Sequence, residues 1–217
     1  MRNKKIAPGN KQLGQTLIET LVAIFILITG LISAITLAIY SFNSTDNSSK
    51  QIVATALAGQ GLEAIKNIRD NNWLDLTNDP LVSCPDLGST QMCYSNWQGQ
   101  GSNKLVTGDY TVDFLTLGNS PVWRTQRQNS NANFTLKYDS TDGQYANQGA
   151  GVLSVYSRDI NIVEETAAPY TALNPRLRVT STVWWSGKSC AVTTDPTTLP
   201  ATCKVVLQTY LTNWKNY

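Results

Sequence analysis

The feature that most constrains this chain is an apolar run of 24 residues, Leu17 to Tyr40, in which Glu19 is the only charged side chain. As an α-helix the run would be about 36 Å long, which is enough to cross the hydrocarbon core of a bilayer. A carboxylate inside a membrane costs several kcal/mol, so such residues are rare there and usually functional. The sequence therefore predicts a transmembrane helix and a role for Glu19.

A short basic segment precedes this run, carrying Arg2, Lys4, Lys5 and Lys11 and no acid. By the positive-inside rule it would keep the N-terminus in the cytoplasm. An ordinary secretory signal has a shorter apolar region followed by a small-residue cleavage site, and neither feature is present here. An uncleaved signal anchor also needs basic flanks and stays open as an alternative, although it does not explain a glycine and a glutamate at fixed spacing.

The order of basic leader, Gly14, Glu19 five residues later and an unbroken apolar helix resembles the class III signal of type IV pilins and pseudopilins. The resemblance implies that a prepilin peptidase removes the leader, residues 1–14, by cutting between Gly14 and Gln15. It also implies N-methylation of Gln15, where most family members carry Phe, so this position departs from the pattern. In the family reading Glu19 pairs with the N-terminal amine of a neighbouring subunit, which is favourable when both charges are buried together.

The helix is predicted to continue beyond the membrane. Residues 15–42 form the transmembrane or filament-core segment, and residues 43–72 form an amphipathic continuation. Apolar side chains recur there at spacings of three and four residues and form a stripe on one side of the helix. This stripe has to be buried against another element, which a C-terminal domain can provide. These side chains are Ala54, Leu57, Ala58, Leu62, Ile65 and Ile68.

The remaining residues, 73–217, are predicted to form one extracytoplasmic β domain. Several segments alternate apolar and polar residues with period two and are rich in β-branched and aromatic side chains. No helical pattern separates them, so the sheet should be largely antiparallel. Asp142-Gly143 predicts a tight hairpin turn. The predicted strands are Tyr110–Phe114, Phe134–Tyr138, Val155–Val163, Leu177–Trp185 and Val205–Leu211.

Parts of this domain resemble minor pilins of the PilV type. The resemblance covers the helix end from Leu62 to Trp73, a Tyr-x-Arg-x-Ile strand at Tyr156–Ile160, and the strand that ends in Trp184-Trp185. The implied fold class is α+β and pilin-like: a long N-terminal helix, transmembrane and continuing outside, packed on a C-terminal antiparallel β-sheet.

Four cysteines form two local couples, Cys84 with Cys93 and Cys190 with Cys203. In an exported domain these predict two short-loop disulfides, each worth about 2–3 kcal/mol in the chain-entropy model. Sequence does not establish the connectivity, and zinc ligation by the four thiolates is the alternative.

No catalytic constellation is found in the sequence. There is no histidine, the commonest general base, and no G-x-S-x-G motif, so we expect no enzyme, cofactor or metal site. Asp139–Gly143 is interpreted as a solvated hairpin loop rather than a calcium loop. Arg158 and Arg178 are interpreted as the polar face of a sheet.

Aromatic residues are the main hint of a ligand surface. Adjacent residues point to opposite sides of a strand, so at least one of Trp184 and Trp185 is predicted to be exposed. Trp97 and Trp123 are predicted loop aromatics that would matter in an adhesive subunit. Without residues 1–14 the chain has 13 basic residues against 15 acidic, a net charge of −2, which does not favour general nucleic-acid binding.

The predicted function is that of a minor type IV pilin-like subunit, anchored in the cytoplasmic membrane with its C-terminal domain outside and later assembled into a cell-surface filament. Its expected partners are prepilin peptidase, other pilin subunits, the inner-membrane assembly machinery and, before assembly, the lipid bilayer. A type II secretion pseudopilin and a DNA-uptake minor pilin remain alternatives, followed by a signal-anchored binding module or enzyme. A surface or DNA ligand is not specified by the sequence.

Overall fold

The computed structural model describes residues 15–74, 97–99, 104–117, 120–128, 133–149, 151–171, 175–188 and 190–213. The chain divides into two compact units between Ser49 and Lys50. The described residues of the first unit, 15–49, are helical, and the second unit contains the rest of that helix and a β-sheet.

One helix, α1, extends from Gln15 to Leu74 and contains no proline. Its later part belongs to the second unit, where an apolar stripe packs against the sheet. All six residues of the predicted stripe are buried there: Ala54, Leu57, Ala58, Leu62, Ile65 and Ile68.

The sheet contains seven strands among the described residues, and every strand pair is antiparallel. β5 is central: β6 pairs along one edge, while β1 and β3 share the other edge, and β2, β4 and β7 lie outside them. The strands are β1 Gly108–Leu117, β2 Ser120–Arg127, β3 Thr135–Asp139, β4 Gln144–Ala146, β5 Val152–Glu165, β6 Arg176–Trp185 and β7 Lys204–Leu211.

The predicted α+β arrangement of an N-terminal helix on an antiparallel sheet is thus observed. Each of the five predicted strands lies in one of the observed strands β1, β3, β5, β6 and β7 to within a residue. The predicted turn at Asp142-Gly143 joins β3 to β4, with Gly143 at φ 72°, a conformation that glycine adopts without strain. The strands β2 and β4 were not predicted.

The core lies between α1 and the sheet in two clusters. Leu62, Ile65 and Ile68 pack with side chains of β1, β5 and β6, including Val112 and Ile160. The second cluster joins the start of this helical stripe to the ends of β3 and β6. It contains Ala54, Leu57, Ala58, Leu136, Tyr156, Val183, Trp184 and Trp185.

Three predictions about large side chains were wrong. Arg158 is on the helix-facing side of β5 and is 1% exposed, whereas Arg178 is on the half-exposed polar face as expected. Trp184 and Trp185 do occupy opposite faces, but both are buried because the chain after β6 covers Trp184. Trp97 is buried in the core, and Trp123 lies within β2 against Phe114 rather than in a loop.

Candidate functional site

The most unusual surface of the described residues is the first part of α1. Every large apolar side chain from Leu17 to Phe42 that the structure describes is between 51% and 75% exposed. The described residues include one helix long and apolar enough to cross a membrane, within Leu17–Asn72. Because the exposed side chains lie on all sides of the helix, the medium around it has to be apolar on all sides. Lipid or neighbouring apolar helices meet that requirement.

Four hydroxyl groups in this segment form hydrogen bonds within the helix. Thr20 donates to the Leu17 carbonyl at 2.9 Å, Ser33 to the Thr29 carbonyl at 2.8 Å, and Thr36 to the Ile32 carbonyl at 2.9 Å. Thr29 similarly reaches the carbonyls one turn before it. Such bonds remove the need for water as a partner, so these residues are tolerated in an apolar medium.

Glu19 lies in the second turn of α1 and is exposed. No lysine or arginine occurs from Gln15 to Phe42, so this segment offers the carboxylate no basic partner of its own. The nearby N-terminus of α1 carries unpaired backbone N–H groups and the positive end of the helix dipole, which favour an anion. Gln15 is the first helical residue, and Gly14 lies outside the described residues.

α1 lies tightly against the sheet at Gly61, which the sequence analysis did not single out. A β-carbon at this position would be 2.6 Å from Cδ1 of Ile160 and 2.9 Å from Oγ of Ser181. Both neighbouring residues are fully buried. Glycine is therefore required by packing, since any side chain would displace the helix from β5 and β6.

Arg158 fixes the helix to the sheet beside this contact. Its guanidinium donates to the carbonyl of Leu57 at 3.3 Å, to Oε1 of Gln60 at 2.9 Å and to the carbonyl of Val112 at 2.7 Å. Burial lowers the pKa of Arg158 to about 10, which still leaves the group charged at neutral pH, and the field of Asp113 opposes that shift. One cation thus links α1, β1 and β5.

A disulfide joins Cys190 to Cys203, one of the two predicted pairs. It closes the connection between β6 and β7 over Trp184, whose indole N–H donates to the Thr193 carbonyl at 2.9 Å. Because these two thiols are joined, they are not zinc ligands. The other predicted pair, Cys84 and Cys93, lies outside the described residues.

The sheet carries no cation site that the described residues reveal, since they contain no group of three or more metal-ligating side chains. Asp139 and Asp142 accept hydrogen bonds from turn N–H groups, as expected of a hairpin loop. Asp159 is the most perturbed carboxyl: burial, with a smaller contribution from Asp109, raises its pKa to about 7. The burial that raises this pKa disfavours the ionised form, which is the form that binds a metal cation.

The structure brings Gly61 and Arg158 together in the second unit. The chain matches no protein-family model, and neither a curated protein nor a solved structure matches it. Function therefore has to be argued from the residues themselves.

Proposed function

We propose that this chain is a minor type IV pilin-like subunit, processed by prepilin peptidase and assembled into a pilus-type filament through α1. In this account residues 1–14 are the leader, Gln15 becomes the methylated N-terminus, and the first part of α1 anchors the subunit in the membrane before assembly.

The observation that carries the proposal is the apolar exposure of the segment from Leu17 to Phe42. Lipid satisfies that surface before assembly, and the helices of neighbouring subunits satisfy it afterwards. A helix with internally bonded hydroxyl groups suits both media, because neither supplies water to its backbone.

Glu19 distinguishes this helix from a simple anchor. In lipid its carboxylate is a cost, and a neighbouring cation lowers that cost. Cleavage after Gly14 would create a cation, the amine of Gln15, four residues before Glu19 in sequence. A neighbour's amine can then pair with Glu19 and set the register of the growing filament.

The C-terminal unit is suited to the extracytoplasmic side. Its Cys190–Cys203 disulfide is typical of oxidising compartments. Arg158 and Gly61 hold the later part of α1 on the sheet. A pulling force applied to the helix would therefore be transmitted to a folded domain.

The experiment that tests the proposal is removal of the leader in cells that make a prepilin peptidase. The native chain should be shorter by residues 1–14 in intact-mass measurement, whereas Gly14→Val should remain full length because its side chain obstructs the close backbone approach. Gly9→Val, a matched change inside the leader, should be cut normally. Normal cutting of Gly14→Val, or no cutting of the native chain, would instead favour an uncleaved signal anchor.

A further inference from the structure

One end of the C-terminal unit exposes apolar side chains. We call it the proximal end: it contains the start of β5, the end of β6, the start of β7 and Lys50, where this unit's part of α1 begins. The placement of Lys50 is shown by its ammonium, which lies 3.0 Å from where a β-carbon on Gly187 would be.

The exposed side chains there are aliphatic and protrude. Val192 is 90% exposed, Val152 77% and Leu153 65%, and Val155 is 45% exposed beside them. Val192 comes from the disulfide-closed connection and the other three from the start of β5, so two separate segments supply apolar residues to one end. Adjacent exposed apolar residues of this kind usually mark an interaction surface.

Tyrosines extend this surface. Tyr138 pairs with Val152 across β3 and β5 and is 40% exposed. Its ring contacts Tyr145 with centroids 4.9 Å apart, and Tyr145 in turn contacts the buried Tyr156 at 5.8 Å. The exposed ring is thus anchored to the core. Tyrosine is enriched where a protein meets the membrane–water interface, because one end of the side chain is apolar and the other polar.

The chain limits how far this end can lie from the membrane. Seven residues, 43–49, separate Phe42, at the end of the apolar segment, from Lys50, and they are helical. Even a fully extended chain of this length reaches no more than about 28 Å, so the chain tethers this end near the membrane surface.

The charged residues at this end do not strongly favour an anionic partner. Four lysines at this end, Lys50, Lys137, Lys188 and Lys204, stand against three acids, Asp139 and Asp142 in the β3–β4 turn and Asp195 in the β6–β7 connection, an excess of one positive charge. A partner held mainly by apolar contact, with polar groups nearby, fits this composition.

We propose that the proximal end contacts the headgroup and upper acyl region of a phospholipid bilayer, into which Val152, Leu153 and Val192 insert. The inference rests on the proposed function in one respect, namely that the first part of α1 spans the membrane. The contact would hold the domain on the membrane before assembly and would be given up when the subunit leaves the bilayer.

Three tyrosines of the full chain test this contact in one sample. The chain is labelled with 3-fluorotyrosine, placed in phosphatidylcholine nanodiscs that contain a headgroup-nitroxide lipid, and observed by ¹⁹F NMR, with Tyr→Phe variants for assignment. Tyr40, in the apolar segment, reports insertion of α1. Tyr138 reports the proximal end, and Tyr210, 48% exposed near the far end of β7, is the matched control.

We expect several-fold more paramagnetic broadening of Tyr138 than of Tyr210, together with broadening of Tyr40. A broadened Tyr40 with Tyr138 no broader than Tyr210 would overturn the lipid contact alone and leave the surface to a neighbouring subunit. A sharp Tyr40 would contradict the membrane span itself and, with it, the proposed function.

Two exposed variants sharpen the test. Leu153→Asp and Val192→Asp should each reduce the broadening of Tyr138, because a carboxylate is not tolerated in the acyl region. Gln208→Asp, at an exposed residue in the second half of β7, should leave it unchanged. An unchanged signal from the buried Tyr156 shows that each variant is folded. Equal effects of all three substitutions would count against insertion at the proximal end.

Discussion

The segment of α1 from Leu17 to Phe42 and the segment from Lys50 to Ile68 belong to one helix, yet their side chains meet different surroundings. In the first, the apolar side chains lie on all sides and are exposed; in the second, most of them form one stripe that is buried against the sheet, although Ile52 is 71% exposed. The first segment has Glu19 as its only charge, whereas the second has Glu63 and Lys66 on its polar side and Lys50 beside Gly187 where the stripe begins.

This difference indicates which surroundings each segment requires. A narrow stripe matches a single partner surface, and the sheet of the same chain supplies it. An apolar surface on all sides needs a surrounding partner, and no element of a single sheet can provide one. The second segment is therefore expected to report changes in folding, and the first to report changes in membrane and filament behaviour.

The largest effect on folding should come from Arg158. Arg158→Met keeps much of the apolar stem but leaves buried acceptors on α1 and β1 without their donor, so the free energy of unfolding should fall by about 3 kcal/mol. Arg178→Met, at a half-exposed ion pair with Glu165, should cost less than about 1 kcal/mol. Urea unfolding in detergent micelles, followed by tryptophan fluorescence, measures both. Equal losses would show that Arg158 does not link the helix to the sheet.

A smaller effect should separate three glycines of the same helix. Gly61→Ala should lower the free energy of unfolding by about 2 kcal/mol, because the new methyl group collides with Ile160 and Ser181. Gly59→Ala meets nothing within 4 Å and should raise it by up to about 1 kcal/mol through helix propensity. Gly30→Ala, in the first segment, should leave the unfolding of the domain unchanged. The same urea titration applies, and a stabilising Gly61→Ala would contradict the close contact.

Prediction from the sequence succeeded for the elements whose hydrophobic period and length determine their structure. The stripe from Ala54 to Ile68 and the strands β1, β3, β5, β6 and β7 follow from spacing alone. It failed at β4, which has only three residues. It also failed at β2, where Pro121 and the polar residues Thr125-Gln126-Arg127 interrupt the alternation of apolar and polar side chains. Both strands are defined by their partners, β1 and β3, rather than by their own pattern.

The errors at single side chains have a common physical cause. Period two places Arg158 on the same side of β5 as Tyr156 and Ile160, so its burial was available from the sequence, but its charge argued against it. The carbonyl groups that accept its hydrogen bonds come from Leu57 and Val112, far away in sequence. Trp184 is buried by the disulfide-closed connection, and the path of such a connection cannot be read from local pattern. Gly61 likewise acquires its role only when α1 meets β5 and β6.

The most direct test of the central claim is incorporation of Glu19 variants into filaments, compared with the membrane pool in cells that also make the native major subunit. Glu19→Gln keeps shape and loses charge, Glu19→Leu loses both, and Thr20→Val is a matched uncharged change in the same turn. We predict that all three insert in the membrane and fold, with an unchanged domain unfolding curve. Both Glu19 variants should be depleted from sheared filaments while Thr20→Val enters as the native chain does. Equal incorporation of Glu19→Gln, Glu19→Leu and the native chain would contradict the pairing of Glu19 with a neighbour's N-terminal amine.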